Sequence, residues 1–227
     1  AIVKLSALGD IIHAMVVLQF IKKYQPQIEI DWVIEERYIA LLEFHPEINN
    51  IHVVNIKKAK NKKSFSLLIK ELIRVKRFGE YDLIIDMQGI IKSALISRII
   101  PSVQKIGFDK MSIREEVATN FYSRKYKIDY ATNIVERNIN IVNYALSIEI
   151  SHADILGKEP FLYSSKDYEF NKISRVRKNI LLIPGASFES KRYPVKNFSQ
   201  LTKYIDANFL VIWGNEDEKV MAGKIKF

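Results

Sequence analysis

A chain of 227 residues, 48% of them hydrophobic, is long enough for one large domain or two modest ones, and its apolar content excludes a disordered chain. The absence of cysteine excludes disulfides, thiolate metal sites and a cysteine nucleophile within these residues. A net charge of +9 favours an anionic partner: nucleic acid, a membrane surface or a phosphorylated small molecule.

In chain order, strand-length apolar runs alternate with longer segments of helical period. Ile2–Leu5 reads as a strand and Asp10–Tyr24 as a helix. Its longest uncharged stretch, Ile11–Ile21, is too short to span a bilayer. Ile28–Ile34 is a strand, Glu36–Phe44 a short helix and Ile51–Ile56 a strand. Ser64 is placed to cap a helix running to about Phe78, with Phe65, Leu68, Leu72, Ile73 and Val75 on its apolar face. Leu83–Met87 is a strand, and Ile90–Ile100 is a helix stopped by Pro101. After Phe108 the pattern loosens until a helix at Ile134–Leu146. A polar, charged stretch, Ser151–Lys178, reads as a linker. Then come a strand in "NILLIP", a helix at Asn197–Ile205, a strand in "NFLVIW" and a helix in "EDEKVMAGKI". Such alternation predicts parallel sheets covered by helices on both faces. Two strands and two helices are too few for the second sheet, so a longer natural chain is expected. No signal peptide is visible, and a reducing, cytoplasmic setting fits.

Five stretches carry possible chemistry. In "KLSALGDIIHAM" a strand turns into a helix that opens on Asp10. Such a junction usually cradles an anion, because free helix N–H groups and the helix dipole point at it. A carboxylate there repels phosphate. It serves either as a helix N-cap or as a general base at the carboxyl edge of the sheet, where α/β ligands bind. His13, one turn on, reads as half-buried packing. In "NIKKAKNKK" five lysines, Lys57, Lys58, Lys60, Lys62 and Lys63, crowd a loop after a strand. They form a solvated loop or an anion-docking patch, and the lack of aromatics disfavours a nucleic-acid platform. In "DMQGIIKSAL" Gly89 permits close backbone approach, with Lys92 one turn inside the helix. "IPGASFESKRYP" combines Pro-Gly, small hydroxyl residues and Lys191 after a strand, which suits a phosphate, although Glu189 opposes it and the Walker spacing is missing. In "WGNEDEK" acids open a helix just past a strand, either complementing its dipole or holding ribose hydroxyls. The four histidines are scattered and suggest no metal cluster.

Taken together these stretches resemble the lipopolysaccharide heptosyltransferases of the ADP-heptose family. "KLSALGDIIHAM" is similar to a K-x-S-x-L-G-D-x-I-H signature and "DMQGIIKSAL" to D-x-Q-G-L-x-K-S. "IGFDKMSIREEVATNFY" is similar to G-F-(6)-R-E and "NIVERN" to a V-E-R helix start, while "SFESKRYP" and "WGNEDE" fit donor-side motifs. The resemblance implies an α/β protein of two Rossmann-like, doubly wound domains in the B-type glycosyltransferase arrangement. Residues 1–163 would form the acceptor domain, and 164–227 the start of an incomplete nucleotide-sugar domain. It implies inverting transfer of heptose from ADP-heptose to the Kdo sugar of Kdo-lipid A, with no metal and no cofactor. The enzyme would be a monomer touching the anionic inner face of the bacterial inner membrane and binding no nucleic acid.

By residue matching, Asp10 falls on the catalytic base. The lysines at 57, 58, 60, 62 and 63, with Gln88 and Arg114, fall on acceptor contacts. Ser187 and Lys191 fall on diphosphate contacts, Lys191 assisting departure of the leaving group, and Glu218 on a ribose contact. Two departures stand out. Asn133 precedes V-E-R where relatives often have His, and the later D-T-G-(x)-x-H segment lies outside these residues, so the expected donor set is partial. The alternative from another class is a basic, non-enzymatic nucleotide- or nucleic-acid-binding α/β protein.

Overall fold

The structure, a computed structural model, describes residues 1–55, 64–165, 171–186 and 188–227. The chain divides into two compact units, Ala1–Ser165 and Lys166–Phe227.

The first unit contains β1 (Ile2–Val3), α1 (Leu8–Met15), α2 (Val17–Tyr24), β2 (Asp31–Glu35) and β3 (Asn50–Val54). It continues with α3 (Phe65–Val75), β4 (Tyr81–Asp86), α4 (Ile91–Ile99), β5 (Ser102–Phe108), β6 (Arg124–Tyr126), α5 (Ile134–Leu146) and α6 (His152–Leu156). Short 3-10 turns at Glu36–Leu41 and Glu116–Phe121 complete it. Its strands pair in the order β3-β2-β1-β4-β5-β6, every pair parallel. The order reverses between β1 and β4, and in an open parallel sheet a crevice opens there beyond the carboxyl ends of the strands.

Strand alternation sends successive side chains to opposite faces. Trp32 and Ile34 enter one buried cluster with Ile11, Met15, Leu18 and Ile141, from α1, α2 and α5. Val33 enters the other with Val3, Leu5, Val75 and Ile96, under α3 and α4. Full burial of an aliphatic side chain contributes about 1.5–3 kcal/mol, so covering both faces is what stabilises an all-parallel sheet. Trp32 is fully buried, and its indole N–H donates to the Lys4 carbonyl at 3.1 Å, so no polar atom is stranded.

The second unit holds β7 (Asn179–Leu182), a 3-10 turn at Glu189–Lys191, α7 (Val195–Tyr204), β8 (Asn208–Val211) and α8 (Glu216–Gly223). β7 and β8 pair in parallel. Leu182, Phe198 and Ile225 form its small core.

Several expectations need correction. The single helix expected over Asp10–Tyr24 is two helices meeting at Val16, which itself keeps helical dihedrals, φ −55° and ψ −27°. Phe65 and Ile73 were expected on the apolar face of α3 with Leu68, Leu72 and Val75, yet they are 74% and 50% exposed: Val75 is the residue of this helix that enters the core cluster, and Leu68 and Leu72 are half-buried. The strands β5 and β6 were not anticipated. The first half of β5 is exposed and mixed in polarity, and β6 is a three-residue polar edge, which is how sheet edges are kept from aggregating. The stretch read as a linker from Ser151 begins as folded structure: Ser151 caps α6, and Asp154 accepts from Lys23 and Tyr24 of α2. His13 is exposed rather than half-buried.

Candidate active site

At the reversal point of the first sheet, the segment after β1 and the segment after β4 are tied into one unit. Gln88 does the tying: its Oε1 accepts from both the Leu5 and Ser6 N–H groups, each at 3.1 Å. Lys4 is buried beside them and donates from Nζ to the Met87 carbonyl at 2.8 Å. Burial lowers its pKa, offset in part by the carboxylates of Asp10 and Asp86. Asp86 is fully buried and accepts from the Gln88 and Gly89 N–H groups at 2.9 and 3.2 Å and from the Tyr122 hydroxyl at 2.8 Å. Burial pushes its pKa up, and these donors counter the rise. Gly89 sits at φ +67°, where a side chain is strained, and a Cβ there would come within 2.8 Å of Ile113.

Asp10 stands on this platform. Its place corrects the capping expectation: the N-cap of α1 is Ala7, in extended backbone, and Asp10 occupies the third helical position. Its Oδ2 accepts the Ala7 N–H at 3.3 Å, the reach-back half of a capping box. Asp10 therefore complements the helix dipole without being the cap, while remaining partly exposed. Gly9 beside it faces open space, since a Cβ there would meet nothing within 4 Å. No packing against the described residues requires that glycine, and the space beside Asp10 is open.

Around the platform, Lys92 pairs with Glu35, the last residue of β2, and Glu35 also takes Arg37 at 3.1 Å. Lys92 is thus balanced rather than a free cation. Arg114 is exposed, and its neighbour Glu115 accepts from the Ile91 N–H at 2.7 Å, at the start of α4. Asn133 caps α5 by accepting from the Val135 N–H at 2.9 Å, a local role for the residue that departs from the family pattern. Lys57, Lys58, Lys60, Lys62 and Lys63 lie outside the described residues.

In the second unit, Glu218 lies across the ends of both strands. Its Oε2 accepts from the Gly214 N–H at 2.7 Å, and an added Cβ on Gly185 would fall 2.3 Å from its carboxyl carbon. Gly185 thus admits the carboxylate that follows the other strand. Asn215 caps α8 through the Glu218 N–H at 2.9 Å. Lys191 is exposed at the end of its 3-10 turn, with its ammonium 5.4 Å from the Phe188 ring centroid. Ser187 lies outside the described residues. Arg192, which sequence reasoning passed over, braces the turn by donating from Nε to the Ala186 carbonyl at 3.1 Å. The expected residues therefore fall into two groups, Asp10 with Gln88 at one edge and Glu218 against Gly185 at another. Tyr122 and Glu115 are additions. Glu115 was signalled by its R-E motif, whereas nothing local signalled Tyr122.

A parallel sheet in this order, followed by a second βαβ unit, is the scaffold of the B-type glycosyltransferases. In keeping with it, the chain is similar in structure to an Escherichia coli heptosyltransferase WaaC solved with ADP, with a TM-score of 0.80 and 23% identity over 99% of this chain and 70% of that one. A glycosyl transferase family 9 structure from Veillonella parvula gives 0.73 at 19% identity, covering 99% and 64%. The family model described as glycosyltransferase family 9 (heptosyltransferase) matches residues 69–226, and the chain belongs to that family. The curated relatives include lipopolysaccharide heptosyltransferase 1 of Campylobacter coli, 36% identical over 99% of this chain and 67% of its own length. The corresponding protein of Pseudomonas aeruginosa is 27% identical over 99% and 63%. The chain thus spans about two thirds of the length of these relatives. Membership in a transferase family stands against the alternative of a non-enzymatic nucleotide- or nucleic-acid-binding protein.

Proposed function

We propose that this chain carries the acceptor unit and the beginning of the donor unit of an inverting, metal-independent heptosyltransferase. Heptose moves from ADP-L-glycero-D-manno-heptose to the Kdo sugar of Kdo-lipid A, in synthesis of the lipopolysaccharide inner core. The single observation that carries this reading is the place of Asp10: a carboxylate at the switch point, held by one backbone N–H and left partly open beside a bare glycine. A sugar hydroxyl is a poor nucleophile until its proton is taken, and a positioned carboxylate supplies about 10²–10⁴ in rate. The hydroxyl oxygen bonds to the anomeric carbon of heptose, the bond from that carbon to the diphosphate oxygen breaks, and the hydroxyl proton passes to Asp10. Attack opposite the leaving group inverts the anomeric centre.

The leaving ADP carries the negative charge away, and Lys191, with Ser187, is the group proposed to meet it. Preorganised positive charge at a leaving oxygen is worth about 10²–10³. Glu218 is the proposed ribose partner, and Gln88, Arg114 and the lysines at 57, 58, 60, 62 and 63 the proposed acceptor contacts. Support for the donor comes from relatives named lipopolysaccharide heptosyltransferase 1 and from similar structures solved with ADP and with ADP-2-deoxy-2-fluoro heptose. Among the described residues no helix is long and apolar enough to cross a membrane. We place the protein at the cytoplasmic face of the inner membrane as a peripheral monomer.

The test is transfer by the full-length protein. Incubated with ADP-heptose and Kdo-lipid A, it should release ADP and give an acceptor heavier by one heptose, with activity preserved in EDTA. Strict dependence on added divalent metal would refute the metal-free mechanism. Thermal protection by oligonucleotides with none by ADP-sugar would return the protein to the binding class.

A further inference from the structure

The helix α3 presents a surface that the transfer reading leaves unused. Phe65, Ile69 and Ile73 are 74%, 42% and 50% exposed. Spaced four apart, they stand roughly 40° from one another around a helix of 3.6 residues per turn, a narrow apolar stripe. The opposite side of the helix is the one that packs, since Val75 lies in the core cluster with Val3, Leu5 and Val33. Beside the stripe stand exposed cations, Lys70 in the helix and Lys76 and Arg77 just past its end, with neutral Ser66 among them and one exposed acid, Glu80, three residues further along. The one acid of the helix, Glu71, is turned inward to other work. Its carboxylate takes the Asn55 N–H and the Arg74 guanidinium, and its side chain is 12% exposed. The outer face of α3 therefore offers apolar side chains and cations with no opposing carboxylate of its own.

We infer that this face of α3 docks on an anionic lipid bilayer, Phe65, Ile69 and Ile73 entering the headgroup boundary while Lys70, Lys76 and Arg77 meet lipid phosphates. Charge complementarity selects the occupant. A second copy would set like charges against each other, whereas a helix with an apolar stripe and a basic flank matches the two layers of a bilayer surface. The inference deepens the membrane contact proposed above and rests on that reading for the choice of lipid over protein. Its test needs no turnover, so failed vesicle binding leaves the transfer reading standing, and failed transfer leaves vesicle binding measurable.

The experiment is vesicle flotation of the full-length protein at about 0.1 M salt, where surface charges still act within about 10 Å. The parent should float with vesicles of phosphatidylcholine containing phosphatidylglycerol, and not with pure phosphatidylcholine. The triple change Phe65→Ser, Ile69→Ser and Ile73→Ser should lower partitioning at least about tenfold with an unchanged melting temperature. Replacing Lys70 and Arg77 with Ser should lower it about fivefold for each cation lost. An independent reporter, Phe65→Trp, should shift its emission to the blue on the anionic vesicles. A triple variant that floats like the parent, or unchanged emission from Phe65→Trp, overturns the inference. So does a parent that ignores the vesicles and forms a dimer that the triple change breaks.

Discussion

The junction after β1 and the turn after β7 begin alike and end in opposite electrostatics. Both follow a short strand of a parallel sheet, buried in β1 and buried only at Leu182 in β7, and both place a glycine beyond the strand end. After β1 the chain goes directly into α1 and sets Asp10 three residues into it, so the helix dipole is met by a carboxylate of the protein itself. After β7 it passes Gly185 into a 3-10 turn that ends on Lys191 and Arg192 before α7 begins. That turn opens on an acid of its own, Glu189, and a second carboxylate, Glu218, comes from the next strand-helix junction and is already bonded to Gly214. One topology can thus be prepared for a neutral hydroxyl that must lose a proton or for a phosphate that must be neutralised. What differs is the charge set against the helix that follows: Asp10 in the first turn of α1, and Lys191 and Arg192 just ahead of α7.

The sharpest way to break this comparison is at Asp10. In Asp10→Asn an amide oxygen can still accept the Ala7 N–H, but it cannot take a proton at neutral pH. We expect kcat to fall by about 10²–10⁴ with a melting temperature near that of the parent. An active variant would reduce Asp10 to a complement of the helix dipole. Next in size is Lys191→Ala, for which kcat should fall by about 10²–10³ while acceptor KM barely moves. If acceptor KM rose instead, the roles assigned to the two units would be reversed.

Gln88→Leu tests how the first junction is held. It removes the one oxygen that serves both the Leu5 and Ser6 N–H groups, and an unpaired buried donor costs about 1–3 kcal/mol. Thermal melting should show the loss, and kcat should fall as the segment leading to Asp10 loosens. Gln88→Glu, which keeps an acceptor, should restore most of the stability. A stable, slow Gln88→Leu variant would mean that Gln88 acts on the acceptor alone. The smallest expected effect is at Gly185→Ala. The new methyl would overlap the Glu218 carboxylate, which can swing away only by releasing the Gly214 N–H, a hydrogen bond worth about 0.5–1.5 kcal/mol. Donor KM should rise modestly with acceptor KM unchanged, and steady-state kinetics with each substrate varied would separate the two.

Much of this was open to reading in the residues alone. The helix over Ile134–Leu146 appears with the bounds its apolar period set, and Ser64 caps α3 as its position foretold. These are local features, in which side-chain spacing and a cap hydroxyl act within a few residues. The misses share a different cause. The face of α3 that stays bare depends on how far the sheet extends beneath it, and β6 exists only because β5 offers it a partner at Ile106, Gly107 and Phe108.

By itself the sequence determined the strand-helix alternation, the charge excess, the family motifs, and Asp10 as a carboxylate just past the first strand. Each depends on composition or on neighbours a few positions away. Only the tertiary structure decided that Asp10 sits at the third helical position rather than the cap. It alone decided that Gln88 and Lys4 bind the β1 segment to the β4 segment, each across more than eighty residues of chain. The same holds for Asp86, which depends on a hydroxyl 36 residues away at Tyr122. Parallel strands require crossover connections, so the groups that meet at a carboxyl edge come from distant parts of the chain. Their meeting is set by sheet order and register, which no local pattern records.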